Sequence, residues 1–340
     1  MKRKFIIFFL ISIFVFSLIG CTSKTSNKQN SNINTSNNTN QNKITVNIAG
    51  LKGPTSIGMI KMFDEKPSLG KNITSIYTIA NTPDILVAKL IKKEVDIAAL
   101  PTNVASKMYN KTNGAYKLAA VNTFGMLYLV TNNIEINSWN DLKGKKINII
   151  GKGSTPDYVF NYLLKKNGIN TEKDVNLDYS LSQAELAQAV AANKVNIAVL
   201  PEPFVTMVTM KNKNVKISMN LQDEWKNIQG EDSPIAMGCV VVRSDFAKAH
   251  PEAVNTYLNK YENSINWVNK NPEKAGVLVQ KFGVLNNAKL TEKAIPNCNI
   301  RFLDASKAKN TVNAFLNILY NFTPSSIGGK LPDEGFFYKK

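Results

Sequence analysis

Histidine occurs once in the 340 residues, at His250, and cysteine only at Cys21, Cys239 and Cys298. A lone histidine with no Cys-x-x-Cys and no cysteine cluster supplies no ligand set of metal spacing, so no metal is expected. The motifs GxSxG, GxxxxGK[ST] and GxGxxG are missing too, which removes the common signatures of serine hydrolases, phosphate-loop enzymes and dinucleotide enzymes. GKGSTPDY, starting at Gly151, has a surface likeness to a phosphate loop but lacks its closing Gly-Lys-Ser. No catalytic residue and no cofactor are therefore expected. Arginine forms no dense cluster; the basic residues are mostly lysines scattered singly among asparagines, so a formal charge of +17 does not point to nucleic acid. It suits an anionic wall or membrane outside a cell, or an anionic solute drawn to a cleft.

What is present begins with MKRKFIIFFLISIFVFSLIGC, where Lys2, Arg3 and Lys4 precede an unbroken apolar run. That is the build of a secretory signal covering 1–20; a single membrane-spanning anchor is the alternative. Its Leu-Ile-Gly-Cys ending resembles the lipobox of bacterial lipoproteins. The resemblance implies cleavage before Cys21, lipidation of its thiol, and attachment to the membrane on its extracytoplasmic face. The charge then falls to about +14. Residues 22–42 hold one apolar residue, Ile33, among Ser, Thr, Asn, Gln and Lys, and read as a disordered tether. Cys239 and Cys298 sit in contexts where a buried reduced thiol is common, and their pairing stays open.

From Lys43 the hydrophobic pattern alternates between strand and helix, as expected for an α/β chain with mainly parallel sheets. Two phrases recur at an offset of one hundred residues: EVDIAALPTNVAS from Glu94 and KVNIAVLPEPFVT from Lys194. Each is the third strand-helix unit of a repeat, so the chain contains two similar lobes. Lobe one takes residues 43–131 and 238–340, and lobe two takes 132–237. A chain of this length also exceeds a comfortable single core.

Lipobox, tether, repeated units, a return strand near 235–243 and a helical end together resemble the solute-binding lipoproteins of ABC importers. Within them the likeness is to the nitrate/sulfonate/taurine/thiamine-precursor family. The phrases that carry it are AGLKGPTSIG, DIAALPTNVA, LKGKKINIIGKGSTPDYVFNYLL, AVLPEPFV, AIPNCNIRFLD and SIGGKLPDEGFFY. The family implies a type II periplasmic-binding-protein fold: two α/β lobes joined by two crossing segments, with the ligand cleft between them. It also implies a small-molecule ligand, an ABC permease and an ATPase as partners, and a monomer. An enzyme of the same fold acting on a pyrimidine-like metabolite, and a surface receptor without transport, are the alternatives.

Ligands of open parallel sheets bind outside the carboxyl ends of the strands, where helix N-termini offer free N–H groups. Those turns contain Lys52, Gly53, Thr55, Ser56, Asn81, Thr82, Thr102 and Asn103 in lobe one, and Ser154, Thr155, Glu202 and Phe204 in lobe two. Helix capping is the competing role for the hydroxyl residues. Phe124, Tyr128 and Phe204 offer faces for a flat heterocycle, or else core packing. Glu202 either faces the cleft, favouring a cationic or amine-bearing ligand, or points to solvent from the first turn of its helix. Lys52 is the one cation well placed by motif position.

Overall fold

A computed structural model describes residues 43–340; the expected signal at 1–20, Cys21 and the tether at 22–42 lie outside the described residues. The chain opens with β1 (Ile44–Leu51), α1 (Pro54–Ile57), α2 (Ile60–Glu65), β2 (Ile73–Ala80), α3 (Pro83–Ile91), β3 (Ile97–Pro101), α4 (Thr102–Lys111) and β4 (Tyr116–Phe124). It crosses at Gly125–Met126 into β5 (Leu127–Asn132), β6 (Lys146–Ile149), α5 (Thr155–Lys166), β7 (Asn176–Asp178), α6 (Gln183–Ala191), β8 (Ile197–Pro201), α7 (Phe204–Lys211), β9 (Val215–Asn220) and α8 (Leu221–Gln229). After the return come β10 (Ala236–Arg243), α9 (Ser244–Ala249), α10 (Pro251–Lys270), α11 (Pro272–Lys281), α12 (Ala288–Ala294), β11 (Ile300–Asp304) and α13 (Ala305–Phe322).

The strands form two sheets, ordered β11-β4-β10-β3-β1-β2 and β7-β6-β8-β5-β9. Each is a parallel trio extended by strands in antiparallel pairings, three in the first sheet and two in the second, so the sheets are mixed rather than mainly parallel. β3 lies between parallel β1 and antiparallel β10, and β8 lies between parallel β6 and antiparallel β5. The first crossing thus falls before β5 rather than after Thr131, because Leu127–Thr131 pair with Ile197–Pro201 of β8. β10 likewise enters the first sheet at Ala236, ahead of the expected boundary at 238. The strands β9 and β11, which the sequence reading leaves out, each form one edge of a sheet.

Ile97–Leu100 and Ile197–Pro201 are buried along their length, as central strands covered on both faces must be, which explains runs of apolar residues without alternation. One apolar cluster extends through both lobes. Helix α13 contributes to it with Ala308, Val312, Phe315, Leu316 and Leu319, spaced three and four apart along one stripe. Its Phe315 ring lies 5.7 Å from Trp225 of α8, and Phe322 lies 5.6 Å from Tyr162 of α5. A helix that follows the return crossing therefore packs on lobe two, each fully buried large side chain contributing about 1.5–3 kcal/mol.

Candidate functional site

The carboxyl ends of the parallel strands in both lobes lead into helix N-termini, and two of these meet. Asn103, in the first turn of α4, is fully buried. Its Nδ2 donates to the Gly153 carbonyl at 3.3 Å, and its Oδ1 accepts from the Thr155 hydroxyl at 3.0 Å. One turn further along α4, the Lys107 amine donates to the same Gly153 carbonyl at 3.0 Å and lies over the Tyr158 ring. Burial pushes the Lys107 amine below its ordinary range, helped by Lys111 and opposed by Asp157.

The partner loop in lobe two is shaped for this contact. Gly153 has φ +77°, a conformation that L side chains adopt only with strain. Its N–H donates to Asp157 Oδ2 at 2.7 Å, while Asp157 Oδ1 accepts from the Tyr179 hydroxyl and the Asn161 amide, each at 2.7 Å. Asp157, buried in the first turn of α5, thus holds the loop and complements the helix dipole at once.

The hydroxyls expected as caps do not cap. Ser154 occupies the N-cap of α5, but its Oγ donates to the Gly151 carbonyl at 2.6 Å, and α5 has no side-chain cap. Helix α4 opens behind Pro101, also without one. Thr82 stands at the N-cap of α3 and makes no capping bond. Thr55 Oγ1 donates to the Leu51 carbonyl at 3.2 Å. The first turns of α4 and α5 therefore have no side-chain caps where the two lobes touch, an arrangement suited to an oxygen-bearing ligand.

The remaining sequence candidates separate by burial. Gly53, Thr55, Ser56, Thr102, Asn103, Ser154, Thr155 and Glu202 are buried, whereas Lys52, Asn81 and Thr82 are exposed. The Ser56 hydroxyl has no hydrogen-bond partner, and that of Thr102 lies against the Cys239 thiol without a well-formed bond. Phe124 joins the large apolar cluster, and Phe204 and Tyr128 pack against a smaller one in lobe two. Glu202 does not point to solvent. Its carboxylate, 2% exposed, accepts from the Thr206 N–H and the Thr206 hydroxyl, both at 3.0 Å. Burial pushes Glu202 above the usual carboxylate range, partly offset by these two bonds. The Glu202–Pro203 peptide is cis.

Several residues escaped the sequence reading. Lys107 signals itself only through the Gly153 carbonyl that it touches in the other lobe, and Asp157 through the loop that it holds in its own. Tyr261 of α10 accepts from Asn122 Nδ2 at 3.0 Å and donates to the Thr55 carbonyl at 3.3 Å, tying α1 to the end of β4. Among the described residues the two arginines are Arg243 and Arg301. Arg243 is held by Asp96 and Asp245, at the end of β10 away from the cleft, while Arg301 is exposed beside Ile300, which pairs with Thr123. Cys239 and Cys298 are both buried and unpaired. No group of His, Cys, Asp and Glu among the described residues is arranged to hold a metal.

Two α/β lobes, two crossings and helix N-termini meeting across a cleft define a two-lobed solute-binding protein. The model of the family described as ABC transporter, phosphonate, periplasmic substrate-binding protein matches residues 70–284, and the chain belongs to that family. An ABC transporter structure from Parabacteroides distasonis is 28% identical, with a TM-score of 0.74 over 88% of this chain and 100% of that one. The alkanesulfonate-binding protein of Xanthomonas axonopodis, bound to MOPS, shares the fold at 16% identity and TM-score 0.65, over 85% and 94%. The nitrate-binding protein of Synechocystis does so at 15% and 0.59, over 83% and 84%. No curated protein sequence matches the chain. The expected fold class and the resemblance to importer binding proteins are both borne out. The chain is thus the substrate-binding protein of an ABC transporter, of an extracytoplasmic family. Among the described residues no helix is long and apolar enough to cross a membrane.

Proposed function

We propose that this chain is a lipoprotein, anchored through Cys21 and its polar tether, that captures a small organic solute by closing its lobes and hands it to a membrane permease driven by an ATPase. It acts as a monomer and performs no chemistry on the solute. The observation that carries this reading is the meeting of α4 and α5 through Asn103 and Thr155, with both first turns free of side-chain caps. Such N–H groups suit an oxyanion of the sulfonate kind, and the family description adds phosphonates to the candidates. The ligand contacts come from Gly53, Thr55, Ser56, Thr102, Asn103, Ser154 and Thr155, with Lys52, Asn81 and Thr82 at the rim and Phe124 and Phe204 at the sides. A second reading, a pyrimidine-like or thiamine-precursor-like solute, is favoured by Glu202, a buried acid whose unused lone pairs suit a ring nitrogen or amine.

Native mass spectrometry of the purified protein, followed by thermal shift with ethanesulfonate, methylphosphonate and 4-aminopyrimidine, tests the reading. Reversible stabilisation by one class and an unaltered compound are expected; turnover of any of them would contradict the transport assignment. Cys21→Ser is expected to release the protein from membranes. Persistent membrane association would favour an uncut anchor instead.

A further inference from the structure

The inner stripe of α4 grips more than the opposite lobe. Asn103, Ser106 and Asn110, spaced three and four apart on one helical face, all donate to backbone carbonyls of the carboxy-terminal tail. Asn103 Nδ2 reaches Ser326 O at 3.1 Å, and Ser106 Oγ reaches Ile327 O at 3.1 Å. Asn110 Nδ2 reaches Ile327 O at 2.9 Å and Lys330 O at 2.7 Å. The approach is close: a Cβ on Gly328, where φ is +94°, would stand 3.2 Å from Lys107 Cα. Further on, Phe336, Phe337 and Tyr338 are buried, and the Tyr338 N–H donates to the Leu118 carbonyl at 2.8 Å. The tail is thus fixed to lobe one at both ends.

Asn103 is the residue at which this strap and the cleft coincide. A carboxamide is planar, so holding one N–H on Ser326 O also fixes the direction of its second N–H and of Oδ1. Those are the two atoms that meet Gly153 and Thr155. We propose that the carboxy-terminal tail is the positioning element of the inter-lobe contact: Ser326 O, kept in place by the hold of Ser106 and Asn110 on Ile327 and Lys330, orients Asn103 toward lobe two. Asn103 is then ordered before the lobes meet, and closure loses less side-chain entropy. This rests on the reading of the cleft as one that closes.

A double-mutant cycle on the full chain tests it, using urea unfolding of the wild type, Asn103→Ala, Thr155→Val and the double variant. The expected coupling is about 5-fold in the unfolding equilibrium constant, within the range for residues in contact. Repeated in an Asn110→Ala background, the coupling is expected to fall below about 2-fold. In a Tyr338→Phe background, which removes the bond that the Tyr338 hydroxyl donates to Asn255 Oδ1 at 3.1 Å and so loosens the far end of the tail, it is expected to persist. Undiminished coupling with Asn110→Ala would overturn the positioning role, and so would its absence in the wild type. Failure to capture any solute with the coupling intact would count against the transport function alone and support the role of the tail.

Discussion

The units β3–α4 and β8–α7 occupy equivalent places, each between a parallel strand and an antiparallel crossing strand, and each ends in Leu-Pro at the cleft. Their next residues part ways. Asn103 sends its polar atoms out of its own helix, to the other lobe and to the tail. Glu202 turns its carboxylate back onto Thr206 and serves its own helix. A shared backbone unit thus carries a contact between lobes in one case and a contact within its own helix in the other. Strand burial dictates the common part; the residues after proline dictate the use.

The comparison breaks most visibly at the contact within the helix. Glu202→Ala strands the buried Thr206 N–H and is expected to cost about 2–3 kcal/mol in urea unfolding. Asn103→Ala should cost less, about 1–2 kcal/mol, and shift the lobes toward the open form. Equal losses with no change in lobe spacing would erase the distinction between the two ends. Gly153→Ala forces a side chain onto a positive φ and is expected to lose about 1 kcal/mol by the same measurement.

A titration sharpens the contrast further. Folded Glu202 holds its proton more tightly than the unfolded chain does. Its contribution to stability is therefore fully present below about pH 4.3 and is lost as pH rises through the elevated folded value. Subtracting the melting curve of Glu202→Gln from that of the wild type across this window should leave that decline; a flat difference would mean the carboxyl is not desolvated. The smallest effect is expected from Lys107→Met, under about 1 kcal/mol because the amine is only half-buried, read as a slight shift toward the open lobes.

The repeated phrases, the parallel trios and the helices opened by Pro54 and Pro83 were legible because burial and proline leave local marks. The edge strands β9 and β11 were not read: VKISMN of β9 does alternate apolar and polar residues as an edge strand does, whereas IRFLD of β11 breaks the alternation. Turn positions give the strand ends but not the use of each hydroxyl: Ser154 bonds Gly151 rather than capping α5. Lys107 depends on a contact with a segment 46 residues further along the chain, which no local pattern encodes, whereas Asp157 holds Gly153 within its own loop and Tyr179 just past the strand that follows. One signal was available, the polar spacing of Asn103, Ser106 and Asn110 on a helix otherwise bounded by apolar strands.

Small-angle scattering on the wild type and Asn103→Ala, each with and without the molecule that co-purifies, tests the central claim most directly. Closure through the α4–α5 contact predicts that the wild type becomes more compact when loaded and that Asn103→Ala compacts less at the same occupancy. Unchanged dimensions of the loaded wild type would contradict it.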